Sequence, residues 1–347
     1  MDGVGTTTKE AHVSVTLTID EVADLSRRAL IACNTSETNA ASVARSVAAA
    51  EADGIHSHGL ARLPTYCEHA RCGKIDGQAK PSAERMRPGA LLVDARDGFA
   101  HPAIDLGLDH LPGLARETGI AAMAVTNSYN CGVVGYHLER IADRGLVALG
   151  FVNAPASIAP WGGKDPVFGT NPLACAVPRQ GRAALVIDQS SSVVAKSEVV
   201  VHKQRGEPLP DGWALDAAGN PTTDPDAALA GGSMVPSGGY KGANQALIVE
   251  LFAAVLARAT LSIDAASFAT NDGGPPRTGQ FFIAVDPDAF GGPQFAESLD
   301  RLCAAITQQD GARLPGDGRL AARARTAEAG VTIPAALHEK ILGYTED

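Results

Sequence analysis

Aromatic rings are scarce in this chain. Phe, Trp and Tyr make up 5% of its 347 residues, while 37 are glycine and 21 are proline. A core with so few rings must be packed from Ala, Val and Leu, and many residues must serve ordered turns. Long apolar runs are missing too. No stretch approaches the roughly 18 consecutive apolar residues of a membrane helix. The start, MDGVGTTTKEAHVSV, lacks the basic segment and apolar run of a secretory signal. Basic charge is in deficit, with 29 Lys and Arg against 39 Asp and Glu, a formal net charge of −10. Such a chain is a poor partner for nucleic acid or an anionic membrane. Cys33, Cys67, Cys72, Cys131, Cys175 and Cys303 are scattered, without C-x-x-C or a histidine at zinc spacing. No metal site is expected, and the six read as thiols in a reducing cytoplasm.

The common nucleotide fingerprints are also missing. A Rossmann turn needs G-x-G-x-x-G between a strand and a helix. The only early G-x-G is Gly3-Val4-Gly5, in a polar tail. There is no P-loop and no G-x-S-x-G elbow, so any dinucleotide must be held another way.

What is present is an order of textures. Residues 18–72 read as helical: a run opened by Asp20, a second over Glu37–Ala52 capped by Ser36, and a third from Ser57 to Cys72-Gly73. Strand-like runs follow at Ala90–Val93, Ile120–Val125, Leu146–Val152, Ala184–Ile187 and Phe281–Val285. Helices are expected over His101–Glu117, Val134–Arg144 and Gly242–Leu256, and again over Phe295–Gln309, Gly318–Glu328 and Pro334–Leu342. Residues 203–238 read as a long ordered loop or arm. This order predicts a helical domain from both chain ends, 1–85 with 295–347, around a sheet domain over 86–294.

Several polar groupings could carry chemistry. Ser57-His58-Gly59 leads to Arg62 and Tyr66; on one helix His58, Arg62 and Tyr66 would share a face. A histidine at a helix start beside an arginine is an acid/base next to an anion anchor; alternatively, these are the polar residues of a capped helix. Gly169-Thr170-Asn171-Pro172 lets backbone amides approach a ligand, or is a surface turn. Asp188 ends an apolar strand before Gln189 and Ser190–Ser192, where it could orient a histidine or simply close a turn. Gly238-Gly239-Tyr240-Lys241-Gly242 enters a helix, and Arg313 stands in an Arg-Leu-Pro-Gly loop.

Taken together and in this order, these segments resemble the malate/L-lactate dehydrogenase family that lacks a Rossmann domain. Within it, DGIHSHGLARLPTY, DARDGFAHPA, RTGQFFIAVDP and ARLPGDGR resemble the branch acting on Δ1-piperideine-2-carboxylate and Δ1-pyrroline-2-carboxylate. The resemblance spans about residues 20–330. It implies an α+β fold with a mostly antiparallel sheet, a homodimer, and NADPH-dependent reduction of a cyclic imino acid, NADH being the other possible donor. By the same resemblance His58 is the acid/base and Asp188 its orienting partner. Arg62 anchors the substrate carboxylate with Ser57 and Thr170 nearby. Asp188, Gln189, Ser190, Ser192, Lys241 and Arg313 contact the cofactor. The basic run at His202, Lys203 and Arg205 would favour a 2′-phosphate.

Two departures stand out. Where the family carries a histidine, the segment Asn127-Ser128-Tyr129-Asn130-Cys131-Gly132 has Asn130, which holds hydrogen bonds but transfers no proton at neutral pH. The usual Thr-Ser after the strand-end Asp is Ser191-Ser192. Three readings follow: an imine reductase, a 2-oxo acid reductase or 2-hydroxy acid dehydrogenase, and a catalytically silent ligand-binding relative.

Overall fold

The computed structural model describes residues 14–346; Gly3-Val4-Gly5 lies outside the described residues. Strand β1 (Ser14–Leu17) precedes α1 (Ile19–Ala32), α2 (Glu37–Ala52) and α3 (Leu63–Arg71). Helix α1 begins one residue before Asp20 because Thr18 makes a capping box with Glu21. Ser36 caps α2 through the Asn39 amide, as the sequence predicts.

The sheet region follows, with β2 (Ser82–Arg87), β3 (Ala90–Asp94), α4 (Ala100–Thr118), β4 (Ile120–Ser128), α5 (Val134–Ala142), β5 (Val147–Val152), β6 (Leu173–Arg179) and β7 (Arg182–Gln189). Its last strand, β11 (Thr278–Val285), inserts between β4 and β5. The seven strands run in the order β2-β3-β4-β11-β5-β6-β7, and only β3 and β4 pair in parallel. Alternation puts Val93, Met123, Val125 and Phe282 on one face, under Ile104, Leu108 and Leu111 of α4 and Leu138 and Ile141 of α5. Helix α4 comes close enough that a Cβ on Gly107 would lie 1.8 Å from the Met123 sulfur.

The 203–238 stretch has structure of its own. After α6 (Lys196–Arg205), the two-residue strands β8 (Ala214–Leu215), β9 (Pro221–Thr222) and β10 (Ser233–Met234) form a small sheet, with α7 (Pro225–Leu229) before β10. Helix α8 (Tyr240–Glu250) runs on through a π-helical segment, Leu251–Leu256. Its inner residues Val249 and Ala253 pack on the sheet through Phe151, Phe252 and Phe281.

Past the sheet come α9 (Gln294–Thr307), α10 (Asp317–Ala329), β12 (Val331–Pro334) and α11 (Ala335–Leu342). Strand β12 pairs antiparallel with β1, Ser14 opposite Pro334 and Leu17 opposite Val331. A second core combines Leu25, Leu30, Val43, Val47, Leu63 and Tyr66 with Val331, Ile333 and Ile341. Arg323 of α10 clasps Asp53 after α2 and Glu139 of α5, at 2.8 Å and 2.5 Å to the Glu139 carboxylate.

Candidate active site

The expected helix start at Ser57 is not formed. Two short 3-10 turns, His56–His58 and Leu60–Arg62, precede α3, which begins at Leu63. Glu51, at the end of α2 and 1% exposed, sets this path: its carboxylate accepts from the Leu60 amide at 2.7 Å and meets His56 Nδ1 at 2.5 Å. Gly59 passes so close that a Cβ there would sit 2.1 Å from Glu51 Oε1. His58, Arg62 and Tyr66 are therefore not one helical stripe, and His58 is not at an α-helix N-terminus. Burial, and next the Arg62 charge, draws the His58 pKa down to about 4. The imidazole is neutral at pH 7, with Nδ1 3.1 Å from Ser57 Oγ.

Arg62 lies in an aromatic cradle. Its guanidinium carbon is 5.9 Å from the Tyr66 ring centre and 5.8 Å from that of Phe268. Its Nε is buried without a hydrogen-bond partner. The Tyr66 hydroxyl donates to Asn130 Oδ1 at 2.8 Å, and the Gly132 amide donates to the same oxygen at 2.9 Å. An amide N–H can only donate, so the Asn130 oxygen faces these two groups and its NH2 is directed elsewhere. Burial raises the Tyr66 pKa to about 12. Tyr129 bonds His69 Nδ1 at 2.6 Å.

A cavity of about 670 Å³ opens beside His58. Thr170, Asp188, Gln189, Ser190, Arg313 and Arg319 stand around it. A neighbouring cavity of about 400 Å³ shares Gln189, Ser190 and Ala195 with it and reaches Ser192 and Lys241. Asp188 Oδ2 accepts the Gly135 amide at 2.7 Å, at the first turn of α5. Burial raises the Asp188 pKa, opposed by that bond and by the Arg319 charge. Asp188 and His58 thus face one cavity from different walls, the carboxylate bonded to α5 and the imidazole to Ser57. The Ser190 hydroxyl donates to the Thr170 carbonyl at 3.1 Å and meets Ser192 Oγ at 2.7 Å, joining the two loops.

His202 is placed apart. Its Nδ1 meets the Pro208 carbonyl at 2.8 Å and its ring stands edge-on to Trp213. Lys203 pairs with Asp226 at 2.5 Å. Neither lines the two cavities. Sequence reasoning missed Arg319, whose buried Nη1 makes no hydrogen bond and lies 3.9 Å from Asp53. Its signal was its place in the ARLPGDGR segment. Among the described residues, no group of three His, Cys, Asp or Glu could hold a metal ion, and no helix is long and apolar enough to cross a membrane.

The profile of the malate/L-lactate dehydrogenase family matches residues 17–342. A (2R)-3-sulfolactate dehydrogenase (NADP(+)) of Chromohalobacter salexigens is 44% identical over 94% of this chain and 97% of its own length. A Δ1-pyrroline-2-carboxylate/Δ1-piperideine-2-carboxylate reductase of Pseudomonas aeruginosa is 40% identical over 96% of this chain and 100% of its own. The crystal structure of Δ1-piperideine-2-carboxylate reductase from Pseudomonas syringae superposes with a TM-score of 0.90 at 36% identity, covering 95% of this chain and 99% of that one. With the motifs, the mostly antiparallel sheet and the cavities in agreement, the chain is an oxidoreductase of the malate/L-lactate dehydrogenase family.

Proposed function

We propose that this chain is an NADPH-dependent reductase of a cyclic imino acid, of the piperideine- or pyrroline-2-carboxylate type, yielding the L-amino acid. What carries this reading is the pair of side chains that would have to supply a proton, His58, beside Arg62, and Asn130. Reduction of a ketone requires a proton on oxygen. Burial holds the His58 pKa near 4, so the imidazole is a poor proton source at pH 7. Asn130 supplies none. A cyclic imine that arrives protonated needs no acid: as C2 is reduced, the C=N π pair becomes the nitrogen lone pair. The neutral amine then takes a proton from water.

The residues fit a reduced nicotinamide dinucleotide. The adjoining cavities share Gln189, Ser190 and Ala195 and carry Arg313, Arg319 and Lys241 in their walls, and Arg319 Nη1, which makes no hydrogen bond and is only 3.9 Å from Asp53, could donate to phosphate. Asp188, Gln189, Ser190, Ser192, Lys241 and Arg313 would hold the dinucleotide, which would supply hydride chemistry there, while Asp188 also fixes the start of α5. Arg62 grips the substrate carboxylate, with Thr170 and Ser57 nearby, and Asn130 lends a hydrogen bond. Neutral His58 places no positive charge beside the iminium and, in the oxidative direction, would accept the proton released.

The second reading is a 2-hydroxy acid dehydrogenase. The 44% identical sulfolactate dehydrogenase favours it, as does neutral His58, the right form for a base in the oxidative direction. NADPH and NADH tested against cyclic imines, 2-oxo acids and 2-hydroxy acids separate the readings. Absence of NADPH consumption with both piperideine- and pyrroline-2-carboxylate sinks the first.

A homodimer in the cytoplasm belongs to the same proposal. Leu247, Ile248, Leu251, Val255 and Leu256, between 44% and 56% exposed, form an apolar outer face on a helix whose inner face is already buried. A helix apolar all round is normally covered, and a second copy is the occupant the family implies. Light scattering of Leu251→Glu should show monomer where the parent shows dimer.

A further inference from the structure

Lys74 follows α3 and is 2% exposed. Its ammonium donates to three main-chain carbonyls: Ser267 at 2.7 Å, Thr270 at 2.6 Å and Asp272 at 2.6 Å. Three protons meet three acceptors, so its donor capacity is filled. Burying an ammonium in this way is expensive unless all its donors are used. An apolar side chain could fill the same space, but would take away the one donor group that the three carbonyls share, leaving Thr270 only its bond from His69.

Those carbonyls belong to one strap of chain between the π-helical segment and β11. The far end of the strap is tied independently, by Arg277 donating to both Asp97 oxygens at 2.8 Å and 2.9 Å. Between the Ser267 and Thr270 carbonyls stands Phe268. Its ring is edge-on to Tyr129 with centres 5.0 Å apart, and it lies 5.8 Å from the Arg62 guanidinium carbon. The Tyr66 ring centre lies 5.9 Å from the same carbon. The guanidinium is thus in contact with two rings, one on α3 and one on the strap. The α3 ring is fixed by the second core. The strap ring lies at the margin of the same core, edge-on to Tyr129, and Lys74 gathers the loop that carries it.

We propose that Lys74 is a positioning residue for the substrate grip: by collecting the Ser267, Thr270 and Asp272 carbonyls it seats Phe268 over Arg62, and so sets the direction in which Arg62 presents its N–H groups. This rests on the reading that Arg62 receives the substrate carboxylate. Lys74 touches neither substrate nor cofactor; it acts through Phe268.

The test compares Lys74→Ala, Lys74→Arg and Phe268→Ala in the full chain. A displaced anchor weakens binding of substrate and transition state alike, so Lys74→Ala should raise KM for the carboxylate substrate by about tenfold or more and leave kcat within about threefold. Phe268→Ala should do the same. The double variant should be no worse than the worse single one, because both changes break one chain of contacts. Methylammonium or propylammonium should restore much of the KM of Lys74→Ala by re-entering the carbonyl cage, and should leave Phe268→Ala unmoved. Lys74→Arg, keeping the charge, should fall between parent and Ala. A substrate-free readout accompanies these. Chymotrypsin should cut after Phe268 faster in Lys74→Ala than in the parent, and added amine should slow the cut. An unchanged cleavage rate overturns the clamp. Faster cleavage with unchanged KM, or effects that multiply in the double variant, overturns the link to Arg62. If the parent turns over no imine, oxo acid or hydroxy acid, the reading of function fails instead, and cleavage with and without amine still decides the clamp.

Discussion

The Tyr66 hydroxyl and the Asn130 side-chain oxygen are 2.8 Å apart, and that bond joins α3 to the loop after β4. Asn130 Oδ1 also accepts from Gly132, so a side chain at this position serves two donors at once. Asn130→Leu strands the buried Tyr66 hydroxyl and should cost about 1–3 kcal/mol of stability. Tyr66→Phe combined with Asn130→Leu should cost less than the sum of the two, measured by chemical denaturation.

The proposed role of His58 predicts a pH profile. With its pKa lowered to about 4, it stays unprotonated as pH rises from 5 through 8. Imine turnover at saturating protonated substrate should therefore show no His58 inflection in that range. His58→Gln should remove about 10²–10⁴-fold of any 2-hydroxy acid oxidation, the usual range for a lost general base, and far less of imine reduction. Equal losses in both reactions would count against the proton argument made for the imine.

Two further histidines shape acid stability. His101 and His137 are buried side by side, with ring centres 5.7 Å apart, and burial lowers their pKa values to about 3 and about 4. The unfolded chain binds these protons near pH 6.5. Since the folded values are depressed, their stabilising contribution is complete above pH 6.5 and is lost as pH falls toward 4. Each histidine should lower the folding equilibrium by about tenfold per pH unit inside that window. Denaturation midpoints at pH 7, 5.5 and 4.5 should fall steeply, and a variant with both replaced by Gln should fall less steeply.

Arg323 holds the second core against the sheet. Its removal takes the cation from Glu139 and leaves Asp53, 5% exposed, with Arg319 at 3.9 Å alone. Arg323→Met should cost about 3 kcal/mol, the low end for a broken buried pair because the arginine side chain is 35% exposed. Lysine cannot span both carboxylates in a fork, so Arg323→Lys should recover less than half of the loss in denaturant midpoint.

Much of the molecule was legible in its residues. Ser36 marked α2, the apolar runs marked five strands of the sheet, and the ordered motifs marked the family. What stayed hidden has physical reasons. Strand β2 reads Ser-Ala-Glu-Arg-Met-Arg because it lies at the sheet edge, where one side needs no apolar pattern. The turn at His58 follows from Glu51, seven residues upstream, whose carboxylate replaces the helix hydrogen bonds that local propensity would favour. Lys74 looks like any surface lysine until residues 267–272 fold back on it. The arm over 203–238 is built from two-residue strands, too short for periodicity to register.

The pairing of β1 with β12 has a consequence for how the chain becomes a protein. The Thr16 and Thr332 hydroxyls meet at 3.0 Å, although 316 positions separate them in sequence. Val331 and Ile333 complete the core that begins at Val22 and Leu25. On the ribosome, α1, α2 and α3 emerge first and must wait, apolar faces open, while the whole sheet is synthesised. Closing so wide a loop adds little entropy beyond a shorter one, since that penalty grows only logarithmically. The delay is one of time: the earliest part of the chain is among the last to be sealed, and a nascent chain stalled before Val331 holds a nearly finished sheet beside an unfinished half.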